Sequence, residues 1–376
     1  MIIGIDLLWV RPGKNGGTES VVRNILDGFN QYAPQDYYFI LYVTKYNVET
    51  FIKYKMNDHF KLHVCECESN NQIKRVLWET VHLNSLGMKD KIDLWYYPVY
   101  SRPFFNNGKI PNVTVIHDLQ AIHYPEYFSK FRNRFFKLAW EQDCKNSTEV
   151  FTISNFCKKD ILDNYKISAD KVKVIYNPIN SAGSATDFPT LEERYGIHSN
   201  AYYYTVCSLA KHKNLLTLLK AIKVIKNKYK NVKIVDSGVK VNAEDEVFDY
   251  INNNDLSENI IYTGFISDED RNSLYDHCYK FVFPSVFEGF GMPPIEALLR
   301  GKNVITTQKA SLGEVTLGLC DYVTNPFDAD EWAKMMMSDS CRTLKENEKK
   351  LLLDKYSLKN IIIQYLSEFS NIVANK

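Results

Sequence analysis

Short apolar runs of strand length alternate with longer stretches of helical spacing along the whole chain. In the first half the runs cover residues 1–6, 38–43, 61–65, 93–97, 112–116, 149–153 and 171–176; in the second, 201–206, 231–236, 259–263, 280–284 and 303–307. A run that is continuously apolar, rather than alternating with polar residues, has both faces buried, as parallel strands do under helices on either side. Parallel neighbours need long crossovers, and the helical stretches supply them. The pattern predicts an α/β chain of doubly wound parallel sheets.

A length of 376 residues is enough for two such domains, each with its own core. The segment from Asn180 to Asp187 is small, polar and aperiodic, as a linker should be. The expected domains are therefore 1–180 and 188–357. From Leu358 onward, Ile361, Ile362, Tyr365, Leu366 and Phe369 mark an amphipathic final helix over 358–376. A net charge of +1 gives no electrostatic footprint for nucleic acid. The eight cysteines contain no C-x-x-C pair, and Cys65 and Cys67 lack partners at zinc spacing, so reduced thiols are expected. No apolar stretch reaches the ~18 residues of a membrane span, and the chain starts directly on a strand. A cytoplasmic protein is expected.

The run from Glu288 to Glu296 (Glu-Gly-Phe-Gly-Met-Pro-Pro-Ile-Glu) follows the strand Lys280-Phe-Val-Phe-Pro284-Ser285. Pro293 and Pro294 suit a helix start, where a missing N–H costs nothing, and Gly301 suits its end. Strand, tight loop and helix N-terminus together make a site for an anionic ligand that carries hydroxyl groups. Glu296, in the first helical turn, can accept from ribose hydroxyls, and Glu288 from a second polyol. This Glu-x7-Glu string resembles that of retaining glycosyltransferases of the GT-B fold, in particular the mannosyltransferase-like group of glycosyltransferase family 4. Many members build bacterial polysaccharide and lipopolysaccharide.

Other strings extend the resemblance, most densely from Val113 to Pro178 and from Tyr262 to Val315. The strand 1–6 leads into Gly13-Lys14-Asn15-Gly16-Gly17-Thr18, where Thr18 can cap the next helix and the glycines allow close backbone approach; a plain turn is the alternative. In the family a glycine-rich loop here meets the donor diphosphate. The strand 112–116 delivers His117-Asp118-Leu119 to its C-terminal end, where ligands of α/β sheets bind. The family places this histidine beside the transferred sugar; Asp118 could orient it or cap the next turn. Ser154-Asn155-Phe156 reads as a serine N-cap, and Tyr176-Asn177-Pro178 matches the family's close of the first domain.

The second domain opens with a strand and Ser208-Leu-Ala-Lys211-His212-Lys213-Asn214. A lysine here can reach a diphosphate as a point charge, and the family has one matching Lys213. The family's arginine five or six residues earlier is replaced by Cys207 or Ser208, and Lys211 or His212 are its possible deputies. Asp268-Glu269-Asp270 and Asp328-Ala329-Asp330 precede helices; Ser267 with Asp270 reads as a capping box, as does Ser311 with Glu314, and no metal is assigned. Around 128–140, Phe128, Phe131, Phe135 and Leu138 form a stripe among Lys130, Arg132, Arg134 and Lys137. It could touch an anionic membrane at its inner face or simply dock on the sheet.

The resemblance implies two Rossmann-like domains facing across a cleft, with the final helix crossing back to the first. It implies transfer of a hexose from a nucleotide-diphosphate sugar, GDP-mannose-like by preference, to a glycan or lipid-linked oligosaccharide, with retention and with no cofactor or metal. His117, Glu288 and Lys213 would be catalytic, with Asp118 on the acceptor side. Gly16, Gly17, Ser208, Lys211, Phe290, Gly291, Met292 and Glu296 would join Lys213 in holding the donor. A nucleotide-sugar epimerase on the same fold and a non-catalytic nucleotide-sugar-binding or assembly protein are the alternatives.

Overall fold

In the computed structural model, which describes residues 1–13, 16–68, 71–100, 102–103, 110–179, 183–238, 245–340 and 342–375, every predicted apolar run contains a strand. The strands are β1 (Ile2–Asp6), β2 (Tyr38–Thr44), β3 (Phe60–Cys65), β4 (Leu94–Tyr97), β5 (Asn112–Ile116), β6 (Glu149–Thr152) and β7 (Val172–Val174), then β8 (Tyr202–Thr205), β9 (Lys233–Asp236), β10 (Ile260–Tyr262), β11 (Lys280–Phe283), β12 (Val304–Thr307) and β13 (Asp321–Val323). They form two sheets, in the orders β3-β2-β1-β4-β5-β6-β7 and β10-β9-β8-β11-β12-β13. All pairings are parallel. Both sheets are doubly wound, as the continuous burial of β4, β5, β8 and β11 requires. β13 was not foreseen. It is a three-residue edge strand whose Asp321 and Tyr322 stay half-buried, so it carries no apolar run.

The chain divides into two units, Met1–Pro178 with Tyr356–Lys376, and Ile179–Lys355. Residues 180–182 of the polar segment lie outside the described residues. Helix starts follow the expected capping chemistry in several places. Ser154 accepts from the Cys157 N–H, Ser267 from Asp270, and Asp328 from Asp330 and Glu331. The box at Ser267 is only half formed, because the Asp270 carboxylate turns to Thr186 and Arg194 instead of back to the cap.

Within the first unit the helix Leu358–Ala374 lies on the helix Gly16–Tyr32. Phe29, Tyr96, Phe151, Tyr365 and Phe369 stack into one aromatic cluster, and the Tyr37 hydroxyl donates to the Leu366 carbonyl at 3.1 Å. Gly28 permits this approach, since a Cβ there would sit 2.4 Å from Ile362 Cγ1. Gly28→Val should therefore destabilise the protein by about 1–3 kcal/mol through overpacking. Urea denaturation checks this; an unchanged midpoint would show that the contact is not tight.

Candidate functional site

In the second unit the strand order reverses between β8 and β11, and loops from the C-terminal ends of these neighbours carry the predicted groups. This is the switch point at which open α/β sheets bind ligands. After β8 the chain makes a short turn, Lys211–Lys213, and Asn214 follows in the left-handed region at φ 55°. The Asn214 amide donates to the carbonyls of Pro284 and Pro326, and its own Oδ1 accepts from Thr217. Lys213 is thereby fixed facing the loop after β11, and its Nζ lies 2.6 Å from Glu288 Oε1. Both side chains are mostly shielded, at 21% and 13% exposure, so this pair is stronger than a surface ion pair.

The Glu288 loop runs into the helix Met292–Leu299, with Pro293 and Pro294 in its first turn. Gly291 precedes it at φ 90°, and a Cβ there would meet Leu312 Cδ2 at 2.6 Å, so glycine is required on both counts. Phe290 is buried. Met292 is half-buried at the first helical position. Glu296, one turn in, accepts from the Tyr275 hydroxyl at 3.1 Å and lies 3.6 Å from Arg271 Nε. Burial works against the Arg271 charge, yet the Glu296 carboxylate more than compensates and holds the guanidinium above its ordinary pKa. Burial, reinforced by Glu296, pushes Tyr275 well up, so it remains a hydroxyl donor.

Several sequence expectations need correction. Ser311 does not cap the next helix; its hydroxyl reaches the carbonyls of Glu288 and Phe290 at 2.9 and 2.8 Å and pins the acidic loop. His212 cannot replace the missing arginine. It is buried, and burial followed by repulsion from Lys213 pushes its imidazole down to about 4, so it is neutral near pH 7. Lys211 is exposed, Ser208 half-buried, and Cys207 a buried thiol whose N–H donates to Asp236. Sequence reasoning missed Arg271 and Tyr275, which a helical spacing of four residues places on one face, and Asn214, whose only signal is a side chain that tolerates positive φ.

The first unit holds the remaining predicted residues. The helix Gly16–Tyr32 begins at Gly16, so Thr18 lies inside its first turn and is not the cap; Lys14 and Asn15 lie outside the described residues. Asn47 ties down the loop after β1 by donating to the carbonyls of Leu7 and Val10. His117, beyond β5, shares its Nε2 proton with the Pro98 carbonyl at 2.8 Å. Burial lowers its pKa, partly opposed by that bond, which makes it a neutral Nε2–H imidazole with Nδ1 as an acceptor. Asp118 accepts from the Gln120 N–H at 2.9 Å and so caps the following turn. Both line a cavity of about 440 Å³ together with Trp9, Thr18 and Trp140. The helix Lys130–Asn146 docks chiefly through Phe136, Ala139, Trp140, Asp143 and Cys144; of the 128–138 stripe, Phe128 and Phe135 pack partly on this core while Phe131 and Leu138 stay exposed. Among the described residues no cluster of metal-ligating side chains occurs, and seven of the eight cysteines, those described, are buried free thiols.

Two doubly wound parallel units, one with an acid–lysine pair and a helix N-terminus at its switch point, are the architecture of the GT-B fold. The sequence profile described as Glycosyltransferase Family 4 matches residues 15–182, that of Glycosyl transferases group 1 matches residues 187–356, and the chain belongs to this glycosyltransferase family. It is similar to the O-antigen chain mannosyltransferase RfbU of Salmonella typhimurium, 28% identical over 218 residues that span 58% of this chain and 57% of that protein. It is also similar to O-antigen chain mannosyltransferase B of Escherichia coli, 27% identical over 58% of each chain. The matched segments thus span little more than half the length of these relatives. In fold it resembles Anabaena HepE, solved in complex with UDP and glucose, with a TM-score of 0.75 at 18% identity over 99% of this chain and 100% of that one.

Asp236, at the end of β9, is fully buried with Oδ2 lacking a hydrogen bond; burial pushes its carboxyl up to about 7 against the N–H bonds from Cys207 and Gly238. The folded pKa lies above the unfolded value of about 3.9, so the folded chain binds the proton more tightly and stability falls as pH rises from about 4 to about 7. Asp236→Asn keeps the acceptor oxygen and cannot ionise. It should melt several degrees above wild type at pH 8 and match it near pH 4 in scanning calorimetry. A wild-type advantage at pH 8 would contradict the assignment.

Proposed function

We propose that this chain is a retaining hexosyltransferase. It would move a mannose-like sugar from a nucleotide-diphosphate donor, GDP-mannose by preference, to a hydroxyl of a glycan in cell-surface polysaccharide or O-antigen synthesis. The Lys213–Glu288 pair beside the N-terminus of the Met292–Leu299 helix is the observation that carries this. Family membership and the O-antigen mannosyltransferase relatives support the sugar and the pathway class. The second unit is the donor side and the first the acceptor side, with lipid-linked oligosaccharide the favoured acceptor class.

In this mechanism the donor diphosphate takes the place of Glu288 beside Lys213, whose ammonium then neutralises the leaving group together with the helix N-terminus. Glu288, released from its partner, accepts from hydroxyls of the donor sugar. Glu296 is already oriented through Oε2 by Tyr275 and Arg271, and Oε1 can take the ribose hydroxyls. The bond from the anomeric carbon to the phosphate oxygen breaks as the acceptor oxygen attacks from the same face, and the departing phosphate takes the acceptor proton. On the acceptor side, a neutral His117 can accept from a sugar hydroxyl through Nδ1.

Thermal-shift titration with GDP, UDP, dTDP, ADP and CMP, followed by donor turnover, tests this. A nucleotide at about 100 times its Kd stabilises by about 2.7 kcal/mol. One diphosphate should do so with wild type and fail with Glu296→Ala. Glu288→Gln and Lys213→Ala should keep nucleotide binding within tenfold yet slow sugar transfer by about a hundredfold or more. Absence of any shift in wild type removes the donor site. Donor consumption without acceptor would favour the epimerase alternative, and nucleotide binding without sugar release the non-catalytic one. A contact of the exposed Phe131 and Leu138, flanked by Lys130, Arg134 and Lys137, with anionic membrane belongs to the same proposal. Phe131→Glu with Leu138→Glu should abolish sedimentation with phosphatidylglycerol vesicles; retained sedimentation would exclude this face.

A further inference from the structure

The cavity of the first unit is lined by more positive charge than its own acids balance. Four arginines border it, Arg11, Arg75, Arg102 and Arg132, against one carboxylate, Asp118. Arg75 is answered by Glu79, whose Oε1 lies 3.4 Å from its Nε. Arg102 is not answered in that way. It is 7% exposed, and among the described residues its Nε–H makes no hydrogen bond and its guanidinium reaches only the Pro103 carbonyl, at 3.3 Å. A guanidinium withdrawn from water without a counter-charge is costly, by several kcal/mol per ion in general. The carboxyl whose field Arg102 feels is that of Asp143, which forms no ion pair with it among the described residues; burial drives that carboxyl well up, toward its neutral form.

Two further groups point the same way. The Arg132 guanidinium lies 5.5 Å from the Phe128 ring centroid and 5.3 Å from that of Phe136, and among the described residues it is in no ion pair. Stacking of this kind fixes the plane of the group and leaves its N–H edge for a ligand. The indole N–H of Trp140, in the same lining, is buried without a hydrogen-bond partner. Arg102 Nε, the Arg132 edge and Trp140 Nε1 are all donors. Such a set matches a tetrahedral oxyanion with several acceptor oxygens better than a neutral sugar, whose hydroxyls need acceptors as well. The volume, about 440 Å³, falls within the range of about 300–1,000 Å³ usual for small-ligand pockets.

We propose that this cavity binds a phosphoryl or diphosphoryl group of the acceptor, so that the enzyme recognises a phosphate-bearing glycan carrier and not only the terminal sugar. The assignment rests on the acceptor role given to the first unit above. The donor diphosphate has its own cation, Lys213, in the second unit, and the cavity is built from first-unit residues alone.

Calorimetric titration of the full chain with inorganic diphosphate and with farnesyl diphosphate, in the presence of saturating nucleotide, tests it. Wild type should bind both. Arg132→Gln, a surface change that should fold normally, and Arg102→Gln should each weaken binding at least tenfold, while Lys213→Ala leaves it unchanged. Tighter binding of farnesyl diphosphate by tenfold or more would identify a lipid-linked phosphate as the source; equal affinity would identify the phosphoryl group alone. Farnesol serves as the neutral control and should not bind. The proposal is overturned if wild type binds neither diphosphate at millimolar concentration, if Arg132→Gln binds like wild type, or if Lys213→Ala alone abolishes binding. Nucleotide shifts in Glu296→Ala and donor turnover in Glu288→Gln are read separately, so failure here is distinct from failure of the donor site.

Discussion

A strand buried on both faces can present polar chemistry only at its ends. Both sheets here are parallel throughout, so all their strands end on the same side, and the loops leaving those ends are where charge can meet a ligand. Lys213 and Glu288 arise from adjacent strands, β8 and β11, whose following connections diverge to opposite sides of the sheet. The 2.6 Å pair is a consequence of that order. Its stiffness comes from partners that take no part in chemistry: Asn214 bonded to two carbonyls, Ser311 gripping the acidic loop from below, and Gly291 turning the chain where a side chain would strike Leu312.

Charge in the second unit is allotted by burial. His212 and Asp236 are both withdrawn from water, and burial pushes each toward its neutral form. Lys213 and Glu288 keep a counter-charge and partial exposure. Glu296 keeps Arg271 and Tyr275. The carboxylates and the lysine at the switch point thus have oppositely charged or hydrogen-bonding partners, while Asp236 braces the backbone of Cys207 and Gly238.

The strand pattern was legible because doubly buried strands are continuously apolar, and twelve of the thirteen strands stood out for that reason. β13 was not legible, since an edge strand half open to water needs no such run. The acidic loop and its helix could be placed from Pro293, Pro294 and Gly301, whose backbone preferences act locally. What supports the loop could not. Ser311 lies three residues from Glu314 and so has the spacing of a capping box, but its hydroxyl is claimed by carbonyls more than twenty positions earlier in the chain. Arg271 and Tyr275 reach Glu296 from the preceding helix, and nothing in their local sequence announces it. Likewise the stripe of Phe128, Phe131, Phe135 and Leu138 has helical period, yet only Phe128 and Phe135 touch the core, and Phe136 and Trp140 are the buried centre of the face. Periodicity locates a helix more reliably than it locates the side the helix buries.

The aromatic cluster of the first unit has a consequence for how the protein is made. Phe29, Tyr96 and Phe151 emerge from the ribosome early, but the rings that complete their packing, Tyr365 and Phe369, come only after the second unit. The second unit, Ile179–Lys355, is synthesised whole in between. Vectorial folding would therefore finish the later unit first and leave the earlier one with an uncovered apolar face until the helix Leu358–Ala374 emerges. The helix Leu358–Ala374 acts as a clasp that closes only after the whole second unit has been made.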